Sequence, residues 1–233
     1  MSSTPSAPGR PSGPETTPSS RGRRAKRMNG DDREAAILEA AEQLLETHAL
    51  HELSIDQIAR GAGISRSSFY FYFPSKEAVL LSLMDKVIGQ ANTRRDEALA
   101  AAGTEPADLV RAGITAFYET FREHRAVALA AADSRIANPE AAELWSRVMD
   151  SWVAMTAGVI EFQQKSGHIP PSAVPARDLM TALNLMNERV LHATFAQDTP
   201  FIDESAVVDT LVTIWLSAIL GLSHGPSTTP ERS

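Results

Sequence analysis

The chain contains no cysteine, and that absence removes disulfides, thiolate metal sites and a cysteine nucleophile together. It fits a reducing compartment, so a cytoplasmic location is expected. No apolar run suits a bilayer: the longest, from Thr210 to Leu222, falls short of the roughly 20 residues that a spanning helix needs. Residues 1–30 hold no apolar segment of the secretory kind, and no membrane partner is expected. Histidines are scattered, and the closest pair, His48 and His51, straddles an expected helix end without a third ligand nearby. Neither a metal nor a cofactor is anticipated. Catalytic signatures are missing as well: there is no G-x-S-x-G, no H-E-x-x-H, and "GAGISR" lacks the third glycine of a dinucleotide loop.

Positive charge is also scarce, with a net charge of -7, but its distribution is uneven. Residues 1–30 hold six Arg or Lys against the single acid Glu15; the rest is acidic. Within "RGRRAKR", residues 21–27, Arg23 and Arg24 suit a DNA-touching arm, while a solvated linker fits the same composition. The Ser, Pro, Thr and Gly of residues 1–20 cannot bury enough apolar area to offset ordering entropy, so residues 1–30 are read as a disordered tail.

From Asp31 onward the hydrophobic pattern is helical throughout. Asp31, Asp32 and Glu34 suit the positive end of a helix dipole, and Ile37, Leu38, Ala41, Leu44 and Leu45 form one stripe. Ser54 and Gln57 match a capping box, and that helix stops at Gly61 to Gly63. Ser65 can cap a helix over 65–73, Pro74 ends it, and Ser75 opens a long helix through residue 101. Further helices are expected near 105–123, 124–136, 139–166, 175–197 and 203–221. The fold class is all-α.

Five of the chain's few aromatics stand together in "FYFYF", Phe69 to Phe73. Two short helices joined by a glycine-containing turn make a helix-turn-helix, whose second helix can enter a major groove. Phe69 and Phe73 lie one turn apart and belong to the core, with Ile37, Leu44 and Ile58 as neighbours. Tyr70, Phe71 and Tyr72 cannot share that face. Tyrosine hydroxyls can donate to phosphates, Arg66, Ser67 and Ser68 stand where a recognition helix presents base-reading side chains, and Lys76 adds a cation beside a helix N-terminus. A structural hairpin without DNA is the alternative.

Trp145, Met149, Trp152 and Thr156 recur at i, i+4, i+7 and i+11, and Met180, Asn184, Asn187 and Leu191 repeat that rhythm. Plain core explains the first set. Two amides inside an apolar stripe are different, because each must find partners or incur about 1–3 kcal/mol. A few polar groups in an aromatic-lined space describe a small-molecule pocket. An enzyme using that cavity and a helical interaction module are the competing readings.

"SIDQIARGAGISRSSFYFYFPSKEAVL" closely resembles the DNA-binding segment of TetR-family transcriptional repressors, and the resemblance runs from about Asp31 to Leu220. It implies a homodimer held by the last two helices of each subunit, a double-stranded DNA operator and an apolar small-molecule effector. The implied layout is a DNA-binding domain over 31–76, an effector-binding and dimerisation domain over 77–223, and a disordered tail over 224–233. By motif position, DNA contacts fall on Ser54, Ser65, Arg66, Ser67, Ser68, Tyr70, Phe71, Tyr72 and Lys76. "AELWS" and "ALNLMNER" resemble a branch of the family in which positions matching Phe117, Phe121, Trp145, Met149, Trp152, Thr156, Asn184, Asn187 and Trp215 line a ligand channel. This chain departs from that branch at Val110, where a tryptophan is expected. The same resemblance points to a neighbouring monooxygenase gene as the controlled target.

Overall fold

The computed structural model describes residues 30–221, and the basic arm and the segment 224–233 lie outside that range. Among the described residues there are nine α-helices, one three-residue 3-10 turn and no strand. The helices are α1 Gly30–Leu45, α2 Ile55–Gly61, α3 Arg66–Tyr72, α4 Lys76–Ala101, α5 Pro106–Glu123, α6 Arg125–Ser134, α7 Pro139–Lys165, α8 Ala176–Ala196 and α9 Glu204–Leu220. All were expected within a few residues of these bounds. The 3-10 turn, Leu50–Glu52, was not, because three residues carry no readable period.

Caps account for the boundaries around the short helices. Ser54 accepts from the Gln57 backbone N–H at 3.2 Å while Gln57 Oε1 accepts from the Ser54 N–H at 2.8 Å, the reciprocal pair that the sequence suggested. α2 ends in a Schellman arrangement: Ile64 N–H donates to Ala59 O and Gly63 N–H to Arg60 O. Gly63 sits at φ +68, a left-handed conformation that a residue with a Cβ adopts only at a cost. The turn therefore fixes how α3 leaves α2. Ser65 and Ser75 cap α3 and α4 through the Ser68 and Ala78 N–H groups, each at 3.1 Å.

One connected core runs through the described residues, from Ile37 in α1 to Ile219 in α9. Phe69 and Phe73 are buried in it with Ile37 and Ile58, as expected from their spacing. Tyr72 differs from expectation, since it is only half exposed and packs against this core. Besides the packing of α1 on α4 and α6, two polar contacts tie the α1–α3 unit to the rest. Glu42 on α1 meets His124 at the α5–α6 junction, and Lys76 Nζ at the start of α4 donates to Leu53 O at 2.8 Å and His51 O at 3.1 Å. α4 packs chiefly along α5 and also touches α1 and α6.

α9 buries one stripe, Val207, Leu211, Trp215 and Ile219, within its own subunit. Ile214 and Leu220 remain exposed on it, and Leu185 is exposed on α8. No helix among the described residues is long and apolar enough to cross a membrane.

Candidate functional site

The exposed side of α3 carries the polar groups that the sequence singled out. Arg66 lies in its first turn, and the fork of its guanidinium is held from two sides: Nη1 donates to Asp56 Oδ2 at 3.0 Å and Nη2 to the Tyr70 hydroxyl at 3.2 Å. The hydroxyl first, then the carboxylate of Asp56, raise the guanidinium above its ordinary pKa. Asp56 was not anticipated, and nothing in the spacing of residues 56 and 66 announces it. Ser65 Oγ bonds the hydroxyls of Ser67 and Ser68 at 2.9 Å each, so these three serines form one cluster at the N-terminus of α3. The Ser54 hydroxyl bonds Gln57 instead. Lys76, expected to face a phosphate, has two of its three donors on backbone carbonyls, and its first role is to hold the 51–53 loop against α4. Phe71 projects into solvent. Thus Arg66, Ser67, Tyr70 and Phe71 share an open surface, Ser54, Ser65 and Lys76 serve the local fold, and Arg23 and Arg24 lie outside the described residues.

A second feature lies inside the larger helical body. A cavity of about 100 Å³ is lined by residues of α4 to α8. Of the nine residues expected to line it, Phe117, Phe121, Trp145, Met149, Trp152, Asn184 and Asn187 do so. Thr156 and Trp215 do not: they stand one layer behind, holding the two amides. Val110 packs on the core without reaching the cavity surface. The aromatics form a continuous group, with Phe117 4.8 Å, Trp145 5.7 Å and Phe121 6.3 Å from Trp152, centroid to centroid.

The amides are oriented by their partners. Asn184 Nδ2 donates to Met180 O at 2.8 Å and to Thr156 Oγ1 at 3.3 Å, which leaves its Oδ1 as a free acceptor. Asn187 Oδ1 accepts from Trp215 Nε1 at 2.9 Å, which leaves its Nδ2 as a free donor. One free donor and one free acceptor, three residues apart on α8, therefore belong to side chains that line a largely apolar cavity. Two further polar features were missed. Arg135 and Glu188 form an ion pair at 2.6 Å in the cavity wall, with the guanidinium 4.9 Å from the Trp145 ring. Asn92 on α4 accepts from Trp152 Nε1 at 3.0 Å and from Arg95 Nη1 at 2.9 Å. The signal for Asn92 was present: Leu80, Met84 and Ile88 form a buried stripe whose next member, four residues on, is this amide.

Among the described residues no group of three His, Asp or Glu side chains could hold a metal.

Comparison with known proteins gives consistent results along the chain. Residues 37–83 match the family described as bacterial regulatory proteins, tetR family, and residues 110–221 match the C-terminal domain of the transcriptional regulator EthR. The chain is 52 % identical over 206 residues to the HTH-type transcriptional regulator EthR of Mycobacterium tuberculosis (strain ATCC 25618 / H37Rv), covering 86 % of this chain and 93 % of that one. EthR of Mycolicibacterium smegmatis is 48 % identical over 201 residues, with 86 % and 92 % covered. Among solved structures, the fatty acid degradation regulator FadR from Bacillus halodurans superposes with a TM-score of 0.67 at 18 % identity, covering 86 % of this chain and all of that one, which establishes likeness of fold. These relatives are regulators of transcription, not enzymes.

Proposed function

The chain belongs to the TetR family of bacterial regulators and carries an EthR-type C-terminal domain, and we propose that this transcriptional regulator is a ligand-responsive repressor. It binds an operator as a homodimer and leaves it when an apolar small molecule fills the cavity. Residues 31–76 form the reading head, and residues 77–223 form the effector and dimerisation unit. Exposed Leu185, Ile214 and Leu220 on α8 and α9, beside half-buried Val208 and Leu216, support an interface between two copies there.

The observation that carries this reading is the hydrogen bond from Trp152, in the cavity wall, to Asn92 on the helix that begins at the reading head. Asn92 lies sixteen residues beyond Lys76, about 24 Å along α4 at 1.5 Å per residue. A cavity of about 100 Å³ is smaller than the roughly 300–1,000 Å³ of pockets that hold drug-sized ligands. An effector must therefore enlarge it, and enlargement against Trp152 acts on α4. Two heads reading half-sites about 34 Å apart tolerate little change in their separation. Ligand and operator then favour different arrangements of α4, which is the condition for induction.

The free Asn187 donor and Asn184 acceptor complement a carbonyl and an N–H on one ligand, so the effector class is an elongated apolar molecule with an amide-like group. The family likeness further suggests a neighbouring monooxygenase gene as the target. The test is operator binding by the purified chain to the DNA upstream of its own gene, titrated with N-alkyl amides of increasing chain length. Release that strengthens with chain length is expected. Operator binding that no apolar amide alters, together with no change in thermal stability on adding one, rejects the effector reading.

A further inference from the structure

Phe71 is 84 % exposed, the most exposed aromatic ring among the described residues, ahead of Phe162 at 67 % on α7. Neighbouring rings do not cover it: Tyr72 meets it edge to face at a centroid distance of 5.3 Å, and Phe69, two residues earlier, points the opposite way into the core. Leaving a phenylalanine in water forgoes the stabilisation that burying its ring would give. Phe71 lies one turn beyond Ser67 on α3, so the two share a face, and the Arg66–Tyr70 pair flanks it. On that face Phe71 is the one side chain without a polar atom; Tyr70 beside it carries a hydroxyl that is bonded to Arg66. Resting on the reading of α3 as the groove-entering helix, only one apolar group is available to Phe71 on the floor of a major groove: the C5-methyl of thymine. We propose that Phe71 reads a thymine methyl in each operator half-site, adding apolar discrimination at one base pair to whatever Arg66 reads by hydrogen bonds.

The division of labour follows from the geometry. Arg66 is held by Asp56 and Tyr70, and its fork is aimed by α2 as much as by its own helix. Phe71 has no such tether, and its position is set by the backbone of α3 alone. A purely apolar contact carries no dependence on salt, unlike contacts to phosphate. Its signature is a loss of affinity on removal of one methyl group, equal in size at low and high salt.

The experiment uses the full chain and an operator recovered by its own selection from random duplexes. Each thymine is replaced singly by deoxyuridine, which deletes the methyl and leaves the hydrogen-bonding edges unchanged. One thymine in each half-site should show about a four-fold loss of affinity, the equivalent of one buried methyl group. Its size should not change with salt, and 5-bromouracil, whose bromine is methyl-sized, should restore binding. Phe71→Ala should bind the thymine and uracil operators equally, and Phe71→Leu should keep part of the difference. Because Phe71 is exposed, neither variant should lose thermal stability. If wild-type protein binds its selected operator with no sensitivity to uracil anywhere, or if Phe71→Ala retains that sensitivity, the assignment is overturned while the groove reading stands. If selection recovers no preferred sequence at all, the groove reading itself fails.

Discussion

Replacing Asn187 by leucine separates the two roles that the structure gives this amide. Its Oδ1 accepts from the buried indole of Trp215 at 2.9 Å, and its Nδ2 is free on a side chain that lines the cavity. Leucine removes both functions while keeping the same branched shape. The orphaned Trp215 N–H then costs about 1–3 kcal/mol, the penalty for an unmet buried donor. For a chain of this size each kcal/mol lowers Tm by about 2–4 °C, so a drop of roughly 2–12 °C is expected in a thermal scan without ligand. Ligand affinity should fall by on the order of ten-fold or more, since the effector carbonyl loses its donor. Combining the change with Trp215→Phe removes the orphan and should recover most of the stability. It should not recover ligand affinity. Calorimetric titration of an N-alkyl amide into the single and double variants, beside their melting temperatures, distinguishes the two effects. Recovery of ligand affinity in the double variant would show that Asn187 acts only by holding Trp215, and the ligand contact would be wrong. Operator affinity without ligand, measured well below Tm, should be unchanged in both.

Asn92→Leu should leave operator binding intact while shrinking the ratio of operator affinities measured without and with effector, because the cavity wall loses its hold on α4. Arg66→Ala should weaken the selected operator about ten- to a hundred-fold and random DNA far less, whereas equal losses on both would assign Arg66 to phosphate. Deleting residues 1–28 should flatten the plot of log K against log[salt] by up to roughly four units if all five charges of residues 21–27 engage phosphate, and an unchanged slope would make that segment a linker. Sedimentation at micromolar concentration should show a dimer, and Ile214→Glu should shift it toward monomer without lowering helix content.

Periodicity and capping residues carried most of the architecture. The serines at 54, 65 and 75 each sit where a cap was expected, because an N-cap is a local interaction and its signal spans four residues. The cavity was legible to the extent that it lies on single helices: Trp145, Met149 and Trp152 on α7, and Asn184 and Asn187 on α8. What could not be read were contacts between residues distant along the chain. Asp56 with Arg66, Arg135 with Glu188 and Asn92 with Trp152 depend on how helices cross, which no spacing encodes. Lys76 shows the same limit from the other side. Its charge next to a helix start suggested a phosphate, and only the folded loop shows two carbonyls claiming its ammonium first.

The tightness of the cavity bears on how such a regulator ignores its surroundings. A cell is full of small apolar molecules, and a roomy pocket would respond to many of them. If the proposed effector needs more room than this cavity of about 100 Å³, its apparent affinity would equal its intrinsic affinity reduced by the fraction of protein that is open. Only a molecule long enough to recover the work of opening would then register, which would make packing density a threshold on the signal. That threshold is adjustable without touching any contact to ligand or DNA. On the proposed reading, a change of one or two methyl groups among residues packed on the core outside the cavity lining, such as Val110, would alter the open fraction and with it the effector concentration that releases the operator.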